Sequence, residues 1–552
     1  MPRQKQPGKA DKHAKRKPSA PETEDEFLET ADELEKSGGK WRAGDAAKAM
    51  RFFQRAIDTY GTGLQQYPRS FDLAYNKALL QYQMTQDHRI ASQLGDPINL
   101  LRETLESHRY ARQLNEENAD ILFNTAQVLT SLAEARAEDV EDAESRSDAV
   151  RLLQEAVELF SACLTRQEME YSEQQAAAVE AASTATDTDA EDVRDTTDTV
   201  ETSPDSPEAE QWATVVEPVT PGTLLETALA QLSALSTLVS LTTSSTVSAL
   251  GFIRELASPL LVTKIPSYLS LISTDCPNPI MKEEPSSASA RSISVTEPNP
   301  QPVADATQEP PPHVTAALAI SAYTAAIADA EYRAGLTTAD DYGARLTNAY
   351  EPLLSEDRYQ AAPSKPFTAV LGAYADALSD LASSLAGLDR AKHKPNQKPS
   401  QHAALRWQAL TRAQELLTAA SKQETANAEK ARIYLARGDV GLGRFQLASL
   451  PDAAASLVKS REVLLKNAGV YYRGAAGLAR QSFDTETVME ATVKEAVAQV
   501  QAALFRNDAV AQSSAIWEKL LSGTGRKQVL DVVREMQEDG LIAEELVKQL
   551  VG

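Results

Sequence analysis

Cysteine is almost absent. The 552 residues contain two, Cys163 and Cys276. A disulfide framework is excluded, and a thiolate zinc site would need histidines to complete it. The six histidines, His13, His88, His108, His313, His393 and His402, are scattered and never stand at ligand spacing. No metal and no other cofactor is expected, and a reducing compartment suits the chain. Aromatic residues make up only 6% of it, and β-rich, turn-punctuated runs are missing. No uninterrupted apolar run reaches the roughly 18 to 20 residues of a membrane span. The nearest, Leu224 to Leu250, is diluted by Gln231, Ser233, Ser236 and the Thr/Ser run at 242–246. It reads as a soluble amphipathic helix, so no membrane partner is expected. The N-terminus lacks the apolar core of a secretion signal.

Positive charge is also in short supply. Against 79 acidic residues stand 55 basic ones, a net charge of -24. Duplex recognition rests on Lys and Arg neutralising phosphates, so the folded part is not expected to bind nucleic acid. The same acidity suits a basic protein partner through steering and charge complementarity.

What remains is rich in Ala, Leu, Glu and Gln, which favour helix. The fold class is all-α. Residues 1–24 form a polar basic tail with too little apolar surface to offset chain entropy, and they are expected to be disordered. Lys15-Arg16-Lys17-Pro18 within it is either a nuclear import signal or a solubilising cluster. Residues 25–170 read as helical repeats and 171–222 as an acidic, disordered linker. Residues 223–274 read as a helical hairpin, 275–312 as a Pro/Ser-rich linker, and 313–552 as a second helical region. Within the acidic linker, Trp212, Val215 and Val216 form an apolar island. It docks either on the chain itself or on a partner.

The first helix is expected from Glu24 to Lys36, ended by Gly38-Gly39. The next carries Ala49, Phe53, Ala56, Ile57, Tyr60 and Leu64. A later one carries Ala149, Leu153, Ala156, Val157, Phe160 and Leu164 with the same internal spacing, which gathers small and large apolar residues on one face. Asp72-Leu-Ala-Tyr-Asn-Lys-Ala78 recurs as Asp120-Ile-Leu-Phe-Asn-Thr-Ala126. His108 falls on an apolar side and reads as a core histidine. In the C-terminal region helices are expected over 314–334, 338–354, 365–388, 401–421, 426–446, 452–474, 484–505, 509–521 and 526–551.

These residues resemble the tetratricopeptide repeat, in divergent form. Gly44, Ala49, Phe53 and Ala56 match its second-helix pattern, and Pro68 the proline between units. Tyr75, Asn76 and Ala78, then Phe123, Asn124 and Ala126, match its first-helix pattern, and Ala111 falls where the family spacing puts it. Ala74 and Leu122 replace the usual early tryptophan, the loop from Thr85 to Pro97 is an insertion, and the two copies lie farther apart than the usual period. Ala431 to Asp439 with the helix after it is similar to a further pair. The combination with acidic and Pro-rich insertions resembles fungal proteins of this class. The resemblance implies an α-solenoid of antiparallel helix pairs, read here as one continuous array.

It also implies a non-enzymatic scaffold that binds a protein segment in a concave groove, with Tyr75, Asn76, Phe123 and Asn124 as anchors. The more specific form is an assembly chaperone for a basic client such as a ribosomal protein or histone, in the nucleus and/or cytoplasm. The alternative is a structural subunit of a larger complex. A carboxylate clamp built on Asn76 and Asn124, with Lys77 and Arg112 nearby, lacks the full set of cations. No nucleophile–base–orienter set is recognisable, and no pocket of perturbed ionisable groups is evident. Gly438-x-x-Gly441-x-Gly443 is similar to a dinucleotide loop but has the wrong spacing and follows a helix. Ser522 to Lys527 reads as a helix break. Oligomeric state is not encoded.

Overall fold

The computed structural model describes residues 21–137, 143–186, 218–242, 247–274, 310–354, 365–391, 402–423, 425–506, 516–518, 520–521 and 525–551. Among them there is no strand. The fold is an all-α solenoid of consecutively packed helices, divided into two compact units. The first comprises α1 (Glu24–Arg42), α2 (Ala46–Gln66), α3 (Phe71–Gln86), α4 (His88–Ala91), α5 (Pro97–Leu114) and α6 (Ala119–Ala137).

Local chemistry starts each of these helices. Thr23 and Glu26 form a reciprocal capping box at α1. Asp45, Ser70 and Asp96 accept from backbone N–H groups at the starts of α2, α3 and α5, and Pro97 takes the first turn of α5. Asn118 Oδ1 accepts from Ile121 N at 2.9 Å ahead of α6. In each copy of the repeated motif, then, the cap stands two residues before the aspartate.

α1 does not stop at Gly38-Gly39. It continues to Arg42, because Gly38 is buried against α2: a Cβ there would stand 2.5 Å from Phe53 Cε1. The glycine permits close approach instead of ending the helix. The insertion after Thr85 joins the core as well. Ile90 of α4 is buried in the cluster that contains Phe27 and Phe53, and Asp87 accepts from Arg42 Nε at 2.9 Å.

His108 of α5 is fully buried, edge-on to Tyr82. Its Nδ1 bonds the Thr104 carbonyl at 2.9 Å, and its Nε2 has no hydrogen-bond partner among the described residues. Burial pulls the imidazole down to about 4, against the Thr104 bond, which favours the charged form. The unfolded chain therefore takes up this proton near its ordinary value of about 6.5, while the folded unit resists until about 4. Stability contributed by the neutral ring is complete above about 6.5 and falls as pH drops through that window, by roughly 3 kcal/mol in all. Hydrogen exchange of the α5 amides at pH 7 and at pH 4 checks this. His108→Leu should lose less protection than the parent; parallel losses would show that the ring is not responsible.

The second unit comprises α7 (Ala143–Thr186), α8 (Pro221–Leu241), α9 (Val247–Pro259), a π turn (Leu260–Lys264), α10 (Ile265–Thr274), α11 (Pro312–Arg333), α12 (Ala339–Leu354), α13 (Lys365–Ala391), α14 (Ala403–Ala420), α15 (Asn427–Ala448), α16 (Ala455–Gln481), α17 (Thr485–Phe505), α18 (Arg526–Glu538) and α19 (Glu544–Val551). α7 runs through residue 171, where the sequence places a linker boundary. It packs on α8, and α8 on α11, so helices on either side of both linker stretches meet within one unit. From α11 onward each helix packs on the next. α11, α13, α15 and α17 also touch one another in turn. That alternation defines an inner layer backed by α12, α14, α16 and α18, the arrangement of a helical solenoid.

Ion pairs hold the start of this unit, with Glu331 their buried member. Glu331 of α11 accepts from Arg254 of α9 and Arg345 of α12. Glu168 of α7 accepts from Lys264 Nζ at 2.8 Å and from the Tyr268 hydroxyl. Two stretches, Pro221–Leu241 and Val247–Ser273, are long and apolar enough to cross a membrane by length and composition alone. The first is mostly buried against its neighbours, as a solenoid core helix is.

The helix expected over 526–551 is two helices, because Gly540 turns the chain with φ 72° and ends α18. Most of the helix expected over 509–521 lies outside the described residues, as do residues 1–20 of the basic tail, the import-signal candidate, Trp212 with its apolar island and nearly all of the second linker; the tail's last residues instead cap and open α1.

Candidate functional site

In the first unit α3 touches both α1 and α6, so these three helices form the inner layer and α2 and α5 stand behind it. The two motif copies occupy equivalent places. Leu73 and Ile121 are fully buried, as are Ala78 and Ala126, and the missing bulk of the alanines lets helices approach. The four predicted anchors, Tyr75, Asn76, Phe123 and Asn124, are all half-buried. They are neither sealed in the core nor fully in solvent.

Asn124 Nδ2 donates to the Tyr75 hydroxyl at 3.2 Å. One heptad further on, the Tyr82 and Ser131 hydroxyls share a bond at 3.3 Å. The equal step on both helices sets α3 and α6 side by side and parallel. Tyr75 also stacks on Phe71, ring centroids 5.5 Å apart. At 100° per residue, Asn76 turns away from that seam on α3 and Phe123 turns away from it on α6. Both turn toward the side opposite the buried residues. No hydrogen bond or ion pair among the described residues engages the side chains of Asn76 or Lys77. The pattern brings Tyr75 and Asn124 together directly and leaves Asn76 and Phe123 flanking them.

The second unit contains a site that sequence reasoning missed. A cavity of about 230 Å³ opens where α13, α14, α15 and the turn after α18 converge. α13 contributes Asp376, Ser379, Asp380 and Ser383, one face by helical spacing. α15 contributes Asp439, and α14 contributes Arg406. Leu410, Val440 and Leu541 form apolar wall. The turn is fixed from both sides. Ser383 Oγ donates to the Asp539 carbonyl at 3.1 Å, and Gln446 Nε2 to the Leu541 carbonyl at 2.9 Å.

The carboxylates of this cavity differ. Asp439 is satisfied: the Tyr472 hydroxyl donates to Oδ1 at 2.8 Å and Lys494 Nζ to Oδ2 at 3.1 Å. Lys494 also pairs with Glu490 at 2.6 Å. Burial alone would lower the Lys494 ammonium, but Asp439 and Glu490 outweigh it and hold it charged. Asp376 and Asp380 are exposed at the cavity mouth, with protein packed beneath them. That desolvation, with Asp439 nearby, pushes Asp376 up to about 6. Desolvation, with Asp376, Asp329 and Asp539 around it, pushes Asp380 up to about 7. The pocket of perturbed ionisable groups that the sequence did not reveal is therefore present. The sequence carries only a faint trace of it, like charges one turn apart in an Ala/Leu-rich helix, which weaken a helix. Among the described residues no group of three or more His, Cys, Asp and Glu has the arrangement to hold a metal ion.

No family model matches the chain. A stretch of 123 residues, 22% of the chain, is 40% identical to UPF0656 protein C926.02 of Schizosaccharomyces pombe. The match covers 27% of that protein, so the chain spans about a quarter of this curated relative. The solved structure of a circular tandem repeat protein with novel repeat topology and enhanced subunit contact surfaces aligns with 95% of this chain and 96% of its own. Its identity is 12% and its TM-score 0.26, a likeness too low to carry an argument. The solenoid assignment stands on the helix contacts themselves.

Proposed function

We propose that the protein is a non-enzymatic, tetratricopeptide-like scaffold. The open side of the α1–α3–α6 layer takes an extended protein segment. One observation supports this reading above the others: the Tyr75–Asn124 seam is flanked by Asn76, whose amide has no hydrogen-bond partner among the described residues, and by the half-exposed Phe123. An amide free to bond a peptide backbone, beside aromatic surface, is the combination that extended segments use for affinity and register. With a net charge of -24, a basic client is the better-matched partner, and an assembly chaperone acting in the nucleus and/or cytoplasm is the specific form.

The test is affinity purification of the full chain in low and in high salt, with bound proteins identified by mass spectrometry. Asn76→Arg should melt as the parent does and lose its client at least tenfold. Gln113→Arg, the same charge change on the exposed outer side of α5, should keep it. Equal retention by both variants would reject this face. Salt-stable, stoichiometric co-purification would instead favour the second reading, a structural subunit. That reading draws on apolar side chains left exposed on the surface, Val463 and Val470 of α16 and Val262 of the π turn.

A further inference from the structure

Two helices of the second unit, α7 and α16, present uncovered faces of opposite charge. α16 carries five cations and a single acid, Glu462, in a chain of net charge -24. Four of the cations, Lys459, Lys466, Arg473 and Arg480, recur at every seventh position and are exposed. At about 1.5 Å of rise per residue they form a line with a repeat of about 10.5 Å. Val463 and Val470 keep the same repeat four residues on, and are 59% and 51% exposed. Four residues advance the helix by about 40° beyond a full turn, so the valines run as a second line beside the cations. Glu495 accepts from Arg473 Nε at 2.9 Å. No hydrogen bond or ion pair among the described residues engages the ammonium of Lys459 or Lys466.

α7 carries the complement. From Ser172 to Glu180 all its residues are exposed except Gln174. Glu173 and Glu180 stand seven residues apart, and Met169 and Ala176 keep that spacing four residues before them, exposed as well. Helical segments draw most of their stability from packing an apolar face, yet Met169, Ala176 and Val179 are left uncovered here. Apolar side chains recurring every seven residues and edged by charge are the pattern by which two helices pair along a seam.

We propose that the uncovered part of α7 in one copy of the chain lies along the outward face of α16 in a second copy. Within one chain both faces stay exposed, so the occupant comes from another. Periodicity fixes the direction. On α16 the apolar line follows the cations by four residues, and on α7 it precedes the acids by four. Laid face to face and parallel, the two helices set Glu173 and Glu180 on the cations, and Met169 and Ala176 on the valines. Antiparallel, they would set acids on valines. Two α16 faces paired with each other would place cations against cations or against valines. A phosphate ligand takes the cations and gives the valines no role. A two-fold axis forms the contact twice, α7 on α16 and α16 on α7. The pairing is separate from client binding and does not rest on it, since the α3–α6 face takes no part.

Sedimentation of the full chain over a concentration series should show masses above the monomer that rise with concentration. Lys459→Glu/Lys466→Glu and Glu173→Lys/Glu180→Lys should each weaken self-association at least tenfold and melt as the parent does, because all four side chains are exposed. The second variant discriminates most, since it brings the net charge closer to zero and would strengthen an association governed by general repulsion. An equimolar mixture of the two variants should recover the parent's association, for in the mixed pair each seam again joins opposite charges. Val463→Ser/Val470→Ser should weaken it at unchanged charge. Asn76→Arg should leave it intact while losing the client, so failure of one reading is distinguishable from failure of the other. A monomer throughout the series would overturn the proposal. So would unchanged association in either charge-reversed variant, or a mixture no heavier than its components. A monomeric parent that shifts on addition of poly(U) RNA, with the shift lost in Lys459→Glu/Lys466→Glu, would overturn it in favour of a phosphate ligand.

Discussion

Lys494→Ala is expected to destabilise the second unit by about 3–5 kcal/mol, the range for removing one partner of a buried ionic group. The lysine is 3% exposed and lies between Asp439 and Glu490, at 3.1 and 2.6 Å. The size of the effect does not come from the pair's own attraction, which desolvation largely cancels. It comes from what alanine leaves behind. Two carboxylates face each other with no counter-charge, Glu535 is close enough to add to the repulsion, and a space the length of the lysine stem opens beside the buried Val493 and Val497. Lys494→Met refills that space and leaves the charges unanswered, so it should recover only a minor part of the loss. Acid separates the two contributions. Burial raises the Asp439 carboxyl above its ordinary value, and protonating it relieves the repulsion, so the deficit of Lys494→Met should shrink as pH falls below 7, while the packing deficit of the alanine variant persists. Hydrogen exchange of the α15 and α17 amides measures both. Equal stability of parent and methionine variant at pH 7 would show that the carboxylates find other partners.

Much of the solenoid was legible because helices announce themselves locally. Ser70 and Asn118 cap their helices two residues ahead of the repeated aspartate, and the small residues Ala78 and Ala126 are where backbones approach. Such signals depend on neighbours within a turn or two. The half-buried placement of Asn76 and Phe123 was legible for the same reason: once buried positions are assigned, the remaining angles of the helix are fixed. Glycine misled the reading of α1. Propensity makes Gly38-Gly39 a helix stop, yet Gly38 serves a contact with Phe53, fifteen residues on. The cavity was out of reach. Asp376, Arg406, Asp439 and Asp539 come from three helices and a turn, and helical periodicity tells which side of a helix is covered without telling which helices meet. A lone lysine in α17 looks like a solvated charge until Asp439 is seen beside it.

The Gly438-x-x-Gly441-x-Gly443 motif yields the second large effect, and its sign is the test. In a helix interior, Gly→Ala ordinarily stabilises by about 1 kcal/mol. Gly469 of α16 meets that expectation, since a Cβ there has nothing within 4 Å, and Gly469→Ala should be neutral or stabilising. Gly438→Ala should do the opposite. Its Cβ would stand 2.3 Å from Tyr472 Cε1 and 2.6 Å from Cδ1. The ring has nowhere to go, being fully buried and tied by its hydroxyl to Asp439. Overpacking of a rigid site costs about 1–3 kcal/mol, and here both the side chain and its polar anchor resist, so a net loss of about 2–3 kcal/mol is expected. Gly441 lies 3.4 Å from Ala468 Cβ by the same measure, and Gly443 lies 3.0 Å from Leu410. The motif therefore seats α15 against α16 on one side and α14 on the other. Tyr472→Leu in the Gly438→Ala background removes the clash, so the two substitutions should be non-additive by more than 1 kcal/mol, as contacting residues are. Additive losses would locate the cost of Gly438→Ala elsewhere.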